Sequence, residues 1–240
     1  MTLNGLRVAL QFLTRLPVPP VRDRSPDDLA RSAVWFPVAG ALIGGFVALA
    51  LWGGAWVGPA FGALCALVVW ALITGALHLD GLGDVADGLG AAHRSRERFL
   101  EAVRDPHAGS FAVVAIVLQL LAKLVLLAEL PGAPIGALIL VPAWARWAPL
   151  VLGPALPALG DGLGARFARG IGWRPAAFWA LVLSAASLWL APSLMGALVI
   201  VPALALFWKR RLGGITGDCH GASIEVTETL LLAVLVVAAR

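Results

Sequence analysis

Residues 33–77 carry no charged side chain. That run is long enough for two membrane spans of about 20 residues each, with a turn between Gly53-Gly54 and Pro59. Polar residues then dominate 80–109, after which 110–130 reads as a third span and 133–159 as its return, joined at Pro131-Gly132. A second charged loop occupies 160–174. The uncharged stretch 175–208 is divided by Pro192 into two short halves, and a third charged loop, 209–225, leads into a last apolar segment ending at Arg240. Upstream, Leu3, Leu6, Leu10, Phe12 and Leu13 recur at helical spacing, and Arg7 and Arg15 interrupt the run, which argues against a cleaved signal. This first helix either lies in the membrane interface or packs on the bundle. The pattern predicts one all-α domain, 1–240: a polytopic integral membrane helical bundle of about seven transmembrane segments plus an N-terminal interfacial helix. The halves of 175–208 are short for full spans, so a re-entrant hairpin is the alternative there.

Composition agrees with that pattern. Hydrophobic residues make up 60% of the 240 and charged residues only 13%, against the roughly 25% that a soluble domain uses to cover its surface. Lipid must therefore solvate much of the chain. Of the eighteen Lys and Arg residues, fifteen fall on alternate connections. These are Arg7, Arg15, Arg22, Arg24 and Arg31, then Arg94, Arg96, Arg98 and Arg104, then Arg166, Arg169 and Arg174, then Lys209, Arg210 and Arg211. The turns near 53–59, 130–134 and 191–193 carry none, which places the basic face in the cytoplasm. The +4 net charge then reflects orientation, and no nucleic-acid partner is expected. Arginine outnumbers lysine sixteen to two, and alanine and glycine are abundant, which hints at a GC-rich bacterial genome and hence a bacterial cytoplasmic (inner) membrane. Cys65 and Cys219 have no metal-ligand spacing and imply no disulfide framework. The oligomeric state is left open.

The most informative segment is His78-Leu-Asp80-Gly-Leu-Gly-Asp84-Val-Ala-Asp87-Gly88. Asp80, Asp84 and Asp87 stand at i, i+4 and i+7, within roughly a 60° sector of one helix face. Three carboxylates so placed repel one another unless a cation lies between them. Hard oxygen ligands suit Mg²⁺ or Mn²⁺, which bind phosphate oxygens in turn. Gly81, Gly83 and Gly88 are read as clearing space for a large polar ligand. The plain alternative is a charged loop whose acids balance the arginines of 94–104.

A second acidic group, Asp218, Glu225 and Glu228, also falls near one helix face, and topology brings it to the side of the first. Two acidic groups at one membrane face suggest a shared site. Lys123 and Arg146 lie within predicted spans and must point inward, toward a carboxylate such as Glu129 or an anionic ligand. Arg104 begins Arg104-Asp105-Pro106-His107-Ala108-Gly109, where a cation could hold a phosphate. His78 is open to three roles, as base, phosphate donor or interface histidine. His93 and His107 read as solvated, and the ten tryptophans as span or interface anchors.

At these residues the chain resembles the cobalamin synthase family, adenosylcobinamide-GDP ribazoletransferase, over nearly its full length. The resemblance runs through Gln11-Phe-Leu-Thr-Arg15-Leu-Pro17-Val-Pro19, Trp35-Phe-Pro37-Val-Ala-Gly40, the 78–88 and 104–109 segments, Lys123, and Gly217-Asp218 through Glu228. Arg104 is a departure, since many relatives carry lysine there, with the same charge and a different geometry. The resemblance implies a membrane-integral, Mg²⁺-dependent transferase. It joins adenosylcobinamide-GDP to α-ribazole or its 5′-phosphate, and gives adenosylcobalamin (or its 5′-phosphate) and GMP. On that reading Asp80, Asp84 and Asp87 hold Mg²⁺ on the pyrophosphate. Asp218, Glu225 or Glu228 completes the metal shell or takes the attacking hydroxyl's proton, and Arg15, His78, Arg104, Lys123 and Arg146 are the candidate substrate contacts.

Two other classes fit part of the pattern. A CDP-alcohol-type phosphotransferase also uses aspartates at a helix end, but this chain lacks the Ala-Arg that follows the first Asp-Gly of that motif. A polytopic cation transporter would explain intramembrane charge, but these acids cluster at one surface and no inverted repeat is visible.

Overall fold

The computed structural model describes residues 2–21, 25, 27–91, 95–130, 135–160 and 170–240. Arg22, Arg24, His93, Arg94, Pro131, Gly132, Arg166 and Arg169 lie outside the described residues. Helix α1 (Leu3–Leu13) opens on Thr2, whose hydroxyl accepts from the Gly5 N–H. It buries Val8, Ala9 and Leu13 against α2 (Asp28–Ser32) and α3 (Phe36–Ala55), so this helix packs on the bundle. Helix α3 and α4 (Pro59–Thr74) form a hairpin in which a side chain on Gly54 would strike Gly62 at 2.7 Å.

Helix α4 ends at Gly75, whose φ of 60° is the left-handed conformation that favours glycine, and Ala76 follows at 57°. These two residues turn the chain by 86° into α5 (Leu77–Ala91), the helix of the aspartates. A short α6 (Arg96–Ala102), capped by Ser95, leads to α7 (Ser110–Ala128). Helix α8 (Ile135–Ala155) is the central one, buried almost throughout. Helix α3 packs closely on it because Gly40 and Gly44, four apart, leave no room for a side chain, and a Cβ on Gly44 would meet Ile139 at 2.7 Å.

The stretch 175–208 divides as expected. Helix α9 (Trp173–Leu190) stops before Pro192, a 3₁₀ turn spans Pro192–Gly196, and α10 (Ala197–Leu212) follows. Helix α11 (Gly217–Ala238) is last and packs on α5 and α8. Among the described residues the sole β feature is an isolated bridge between Ala158 and Ile215, with the Leu159 N–H donating to the Ile215 carbonyl at 2.8 Å. It ties the segment after α8 to the segment before α11, so α9 and α10 leave one face and return to it. At the other face Arg240, beyond α11, reaches Glu129, beyond α7, at 3.5 Å.

By length and composition five helices can cross a membrane, or six if the bent pair α4–α5 counts as one span. The seven expected from hydropathy exceed this because α4 has only 16 residues before its bend, and α9, which opens on Trp173-Arg174-Pro175, is not among the five. Outward faces are apolar, as lipid requires: Phe111, Val114, Leu118, Leu121 and Val125 lie exposed along α7. The tryptophans divide. Trp52, Trp56, Trp173 and Trp189 are exposed, whereas Trp144, Trp147 and Trp208 are buried and donate to Ser187, the Ala176 carbonyl and Ser223. Those three fix helix contacts and are not interface anchors.

Candidate active site

The 86° bend and the Ala158–Ile215 bridge together bring the start of α5 against the start of α11. Their backbones approach closely because both carry glycine at the crossing. A side chain on Gly81 would meet the Asp218 carbonyl at 3.1 Å, and one on Gly221 would meet His78 at 3.5 Å. Gly83 abuts Ile116 of α7, and Gly88 abuts Phe99 of α6. The glycines of the aspartate motif therefore serve helix packing, and Gly81 also lines the adjacent cavity.

Beside this crossing lies a cavity of about 390 Å³. Asp80, Asp218, His78, His220, Thr216 and Arg104 supply its polar lining, and Phe12, Leu13, Leu29, Phe36 and Leu77 much of its apolar lining. Thr216 caps α11, accepting from the Cys219 N–H at 3.2 Å, which sets Asp218 in the first turn of that helix where its charge is favoured. Asp84 lies within electrostatic reach of Asp80, Asp218 and Asp87. The carboxylates that gather here thus come from two helices.

Asp87 is engaged differently. Its oxygens accept from the Gly109 N–H at 2.6 Å and the Ala112 N–H at 3.0 Å, so it caps the N-terminus of α7 from a distance of 22 residues along the chain. A side chain on Gly109 would lie 2.6 Å from the same carboxylate. In the loop before it, Asp105 accepts from the His107 backbone and from its Nδ1, at 3.0 and 2.8 Å, and these bonds hold the exposed Asp105 carboxyl below its ordinary range.

Glu225 and Glu228 lie about 10 and 15 Å further along α11 than Asp218. There they meet Lys123 and Arg146 in an interior ion network. Lys123 Nζ donates to Glu225 at 2.7 Å and also to Glu228, Arg146 donates to Glu228, and all four side chains are buried. Gln119 adds bonds to Glu225 and Thr229, at 2.9 and 2.8 Å, and Trp70 lies under Lys123 at 4.4 Å. Arg146 also contacts His78 Nδ1 at 3.3 Å. Guanidinium only donates, so His78 Nδ1 accepts and its proton resides on Nε2. Among the roles open to His78, the geometry favours a neutral hydrogen-bond donor held by Arg146.

Of the predicted site residues, Asp80, His78, Arg104 and Asp218 line one cavity, with Asp84 beside them. Lys123, Arg146, Glu225 and Glu228 form the interior network, and Glu129 is not the partner of either cation. Arg15 packs over Gly75, and its N–H donates to the Ile73 carbonyl at 2.6 Å, which anchors the end of α1 at the α4–α5 bend. Sequence reading missed Gln119, Trp70, Thr216 and the aromatic wall. Gln119 had a signal, a polar residue inside a span four before Lys123; the others had none short of the fold.

The family model described as cobalamin-5-phosphate synthase matches residues 5–236. Proteins named adenosylcobinamide-GDP ribazoletransferase are similar throughout. That of Novosphingobium aromaticivorans is 55% identical over 96% of this chain and 95% of its own length. That of Laribacter hongkongensis is 52% identical over 99% and 98%, and that of Thiobacillus denitrificans 48% over 96% and 94%. No solved structure matches significantly. With nearly every residue aligned, and with the aspartates of α5 and α11 inside the matched region, the chain belongs to the cobalamin-5-phosphate synthase family.

Proposed function

We propose that the chain is an adenosylcobinamide-GDP ribazoletransferase of the bacterial cytoplasmic membrane, with its cavity on the cytoplasmic face. The observation that carries this reading is the cavity at which Asp80 and Asp218 meet from two helices, in a chain collinear with proteins of that name. The basic residues at the same ends of the helices support the orientation. In the reaction a ribose hydroxyl of α-ribazole, or of its 5′-phosphate, bonds to the phosphorus attached to cobinamide. The bond from that phosphorus to the GMP oxygen breaks, and the hydroxyl proton is released.

We assign a Mg²⁺ requirement to Asp80 and Asp84, and the uptake of the hydroxyl proton to Asp218. Among the described residues no group of three His, Cys, Asp or Glu side chains is already set for a metal ion. Mg²⁺ asks for less, because it is commonly held by one or two carboxylates together with water and substrate phosphate. Mutually repelling, partly open carboxylates beside a cavity fit such an ion. When bound, it neutralises the pyrophosphate and the departing phosphate. Arg104, exposed at the cavity, contacts a phosphate, and Asp87 fixes α7 against α5 so that the other carboxylates hold their places.

Purified protein in liposomes, supplied with adenosylcobinamide-GDP and either ribazole form, should release GMP only when the acceptor and Mg²⁺ are both present. Release without an acceptor, or equal release from a CDP-activated alcohol, would overturn the assignment.

A further inference from the structure

We propose that the interior ion network is a positioning device for the cavity: through Arg146 it holds His78 in the tautomer that turns an N–H donor toward the reacting phosphate. The inference rests on the transferase reading. Replacing buried ion pairs by apolar residues of similar volume is often neutral or stabilising, so stability alone is a weak reason for four ionised side chains inside the bundle. None of Lys123, Arg146, Glu225 and Glu228 lines the cavity. Both cations are committed to carboxylates, so neither serves a substrate phosphate directly. The network meets the cavity through the contact from Arg146 Nη2 to His78 Nδ1, at 3.3 Å.

Each link toward that contact is held from more than one side. Arg146 is fully buried on the central α8, and its Nη1 donates to Glu228 of α11. Glu228 also accepts from Lys123 of α7, which bonds Glu225 at 2.7 Å and lies over Trp70 of α4 at 4.4 Å. Gln119, one turn before Lys123, donates to Glu225 at 2.9 Å. Helices α4, α7, α8 and α11 thus fix the guanidinium, whose planar fork gives one nitrogen to the carboxylate and the other to the imidazole. A guanidinium has no acceptor, so the ring presents a bare Nδ1 to it and carries its proton on Nε2, the nitrogen turned away from Arg146. His78 is itself buried and lines the cavity, so that proton is the donor the cavity receives. Asp80 and Asp218 beside it offer only acceptors when ionised, and a phosphate oxygen needs donors or cations. A donor fixed before the substrate arrives stabilises charge growing on the phosphate oxygens without reorganising at the moment of reaction.

The test joins a spectroscopic signature to kinetics, on the full chain in liposomes. The chain has four histidines, so with ¹⁵N-histidine labelling a His78→Ala variant identifies the His78 signals in solid-state NMR spectra at neutral pH. Wild type should show His78 with a protonated Nε2 and a bare Nδ1. The charge-balanced double variant Arg146→Met, Glu228→Gln should show both tautomers and lower kcat at least about tenfold, with KM for either substrate within about twofold of wild type. His78→Ala should itself lower kcat about a hundredfold. Adding the same pair of substitutions to it should change kcat by less than about twofold, because Arg146 acts through the ring. A wild-type His78 protonated on Nδ1 would overturn the proposal without any variant. So would a full further loss of kcat from the pair in the His78→Ala background, which marks a general structural effect. A wild type that keeps the Nε2 proton but releases no GMP from adenosylcobinamide-GDP would instead remove the transferase reading.

Discussion

The interior network of Lys123, Arg146, Glu225 and Glu228 invites the sharpest test, because its formal charges sum to zero and all four side chains are buried. Glu228→Gln removes one negative charge and leaves two cations facing a single carboxylate. At an effective dielectric constant of about 20 and a charge-assisted separation of about 2.8 Å, one such pair is worth roughly 6 kcal/mol. Glutamine still accepts a hydrogen bond and returns part of that. The expected loss is about 3–5 kcal/mol, between two and four powers of ten in the unfolding equilibrium. Arg146→Met should lose a similar amount by stranding Glu228. The double variant Arg146→Met, Glu228→Gln keeps Lys123 paired with Glu225 and restores the charge balance. It should recover to within about 1 kcal/mol of wild type. Unfolding in mixed micelles by SDS titration, followed by far-UV circular dichroism, gives the four free energies. If the double variant loses the sum of the two singles, the charges are not coupled and the electrostatic account is wrong. The double variant also lacks the donor to His78 Nδ1, so it should be stable yet slow in transfer.

Other consequences follow from the same geometry. Asp80→Asn and Asp84→Asn should each lower kcat by at least about a hundredfold with little change in stability, and chelation with EDTA should then have no further effect; retained Mg²⁺-dependent turnover in both would remove the metal assignment. Asp87→Asn should instead act on stability, by about 0.5–2 kcal/mol, because its carboxylate caps α7, and Gly109→Ala should do at least as much by driving a methyl group against that carboxylate. Arg104→Gln should raise KM for α-ribazole 5′-phosphate more than for α-ribazole, as read by parallel GMP-release assays. Glu129→Gln breaks an exposed pair, with side chains 74% and 55% exposed, and should change micelle unfolding by under about 1 kcal/mol.

What the sequence determined by itself was local or periodic. A run without charge declares a span because lipid cannot hydrate an ion, and Pro192 favours a break because it lacks an N–H and its ring crowds the carbonyl of the preceding turn. The i, i+4, i+7 spacing of Asp80, Asp84 and Asp87 sets them on one helix face whatever surrounds them, and the same holds for Asp218, Glu225 and Glu228. Periodicity gives direction about an axis but not depth along it or the neighbour met there. Only the packed bundle decided that Glu225 and Glu228 sit a further two to three turns in, against Lys123 and Arg146, while Asp218 joins the α5 aspartates. Only it turned Asp87 into a cap for a helix 22 residues on, and turned the motif glycines into contact points for three other helices. Each of those outcomes depends on a pairing between distant segments, fixed by the bend at Gly75-Ala76 and the bridge at Ala158–Ile215. Neither feature leaves a repeating trace in the order of residues.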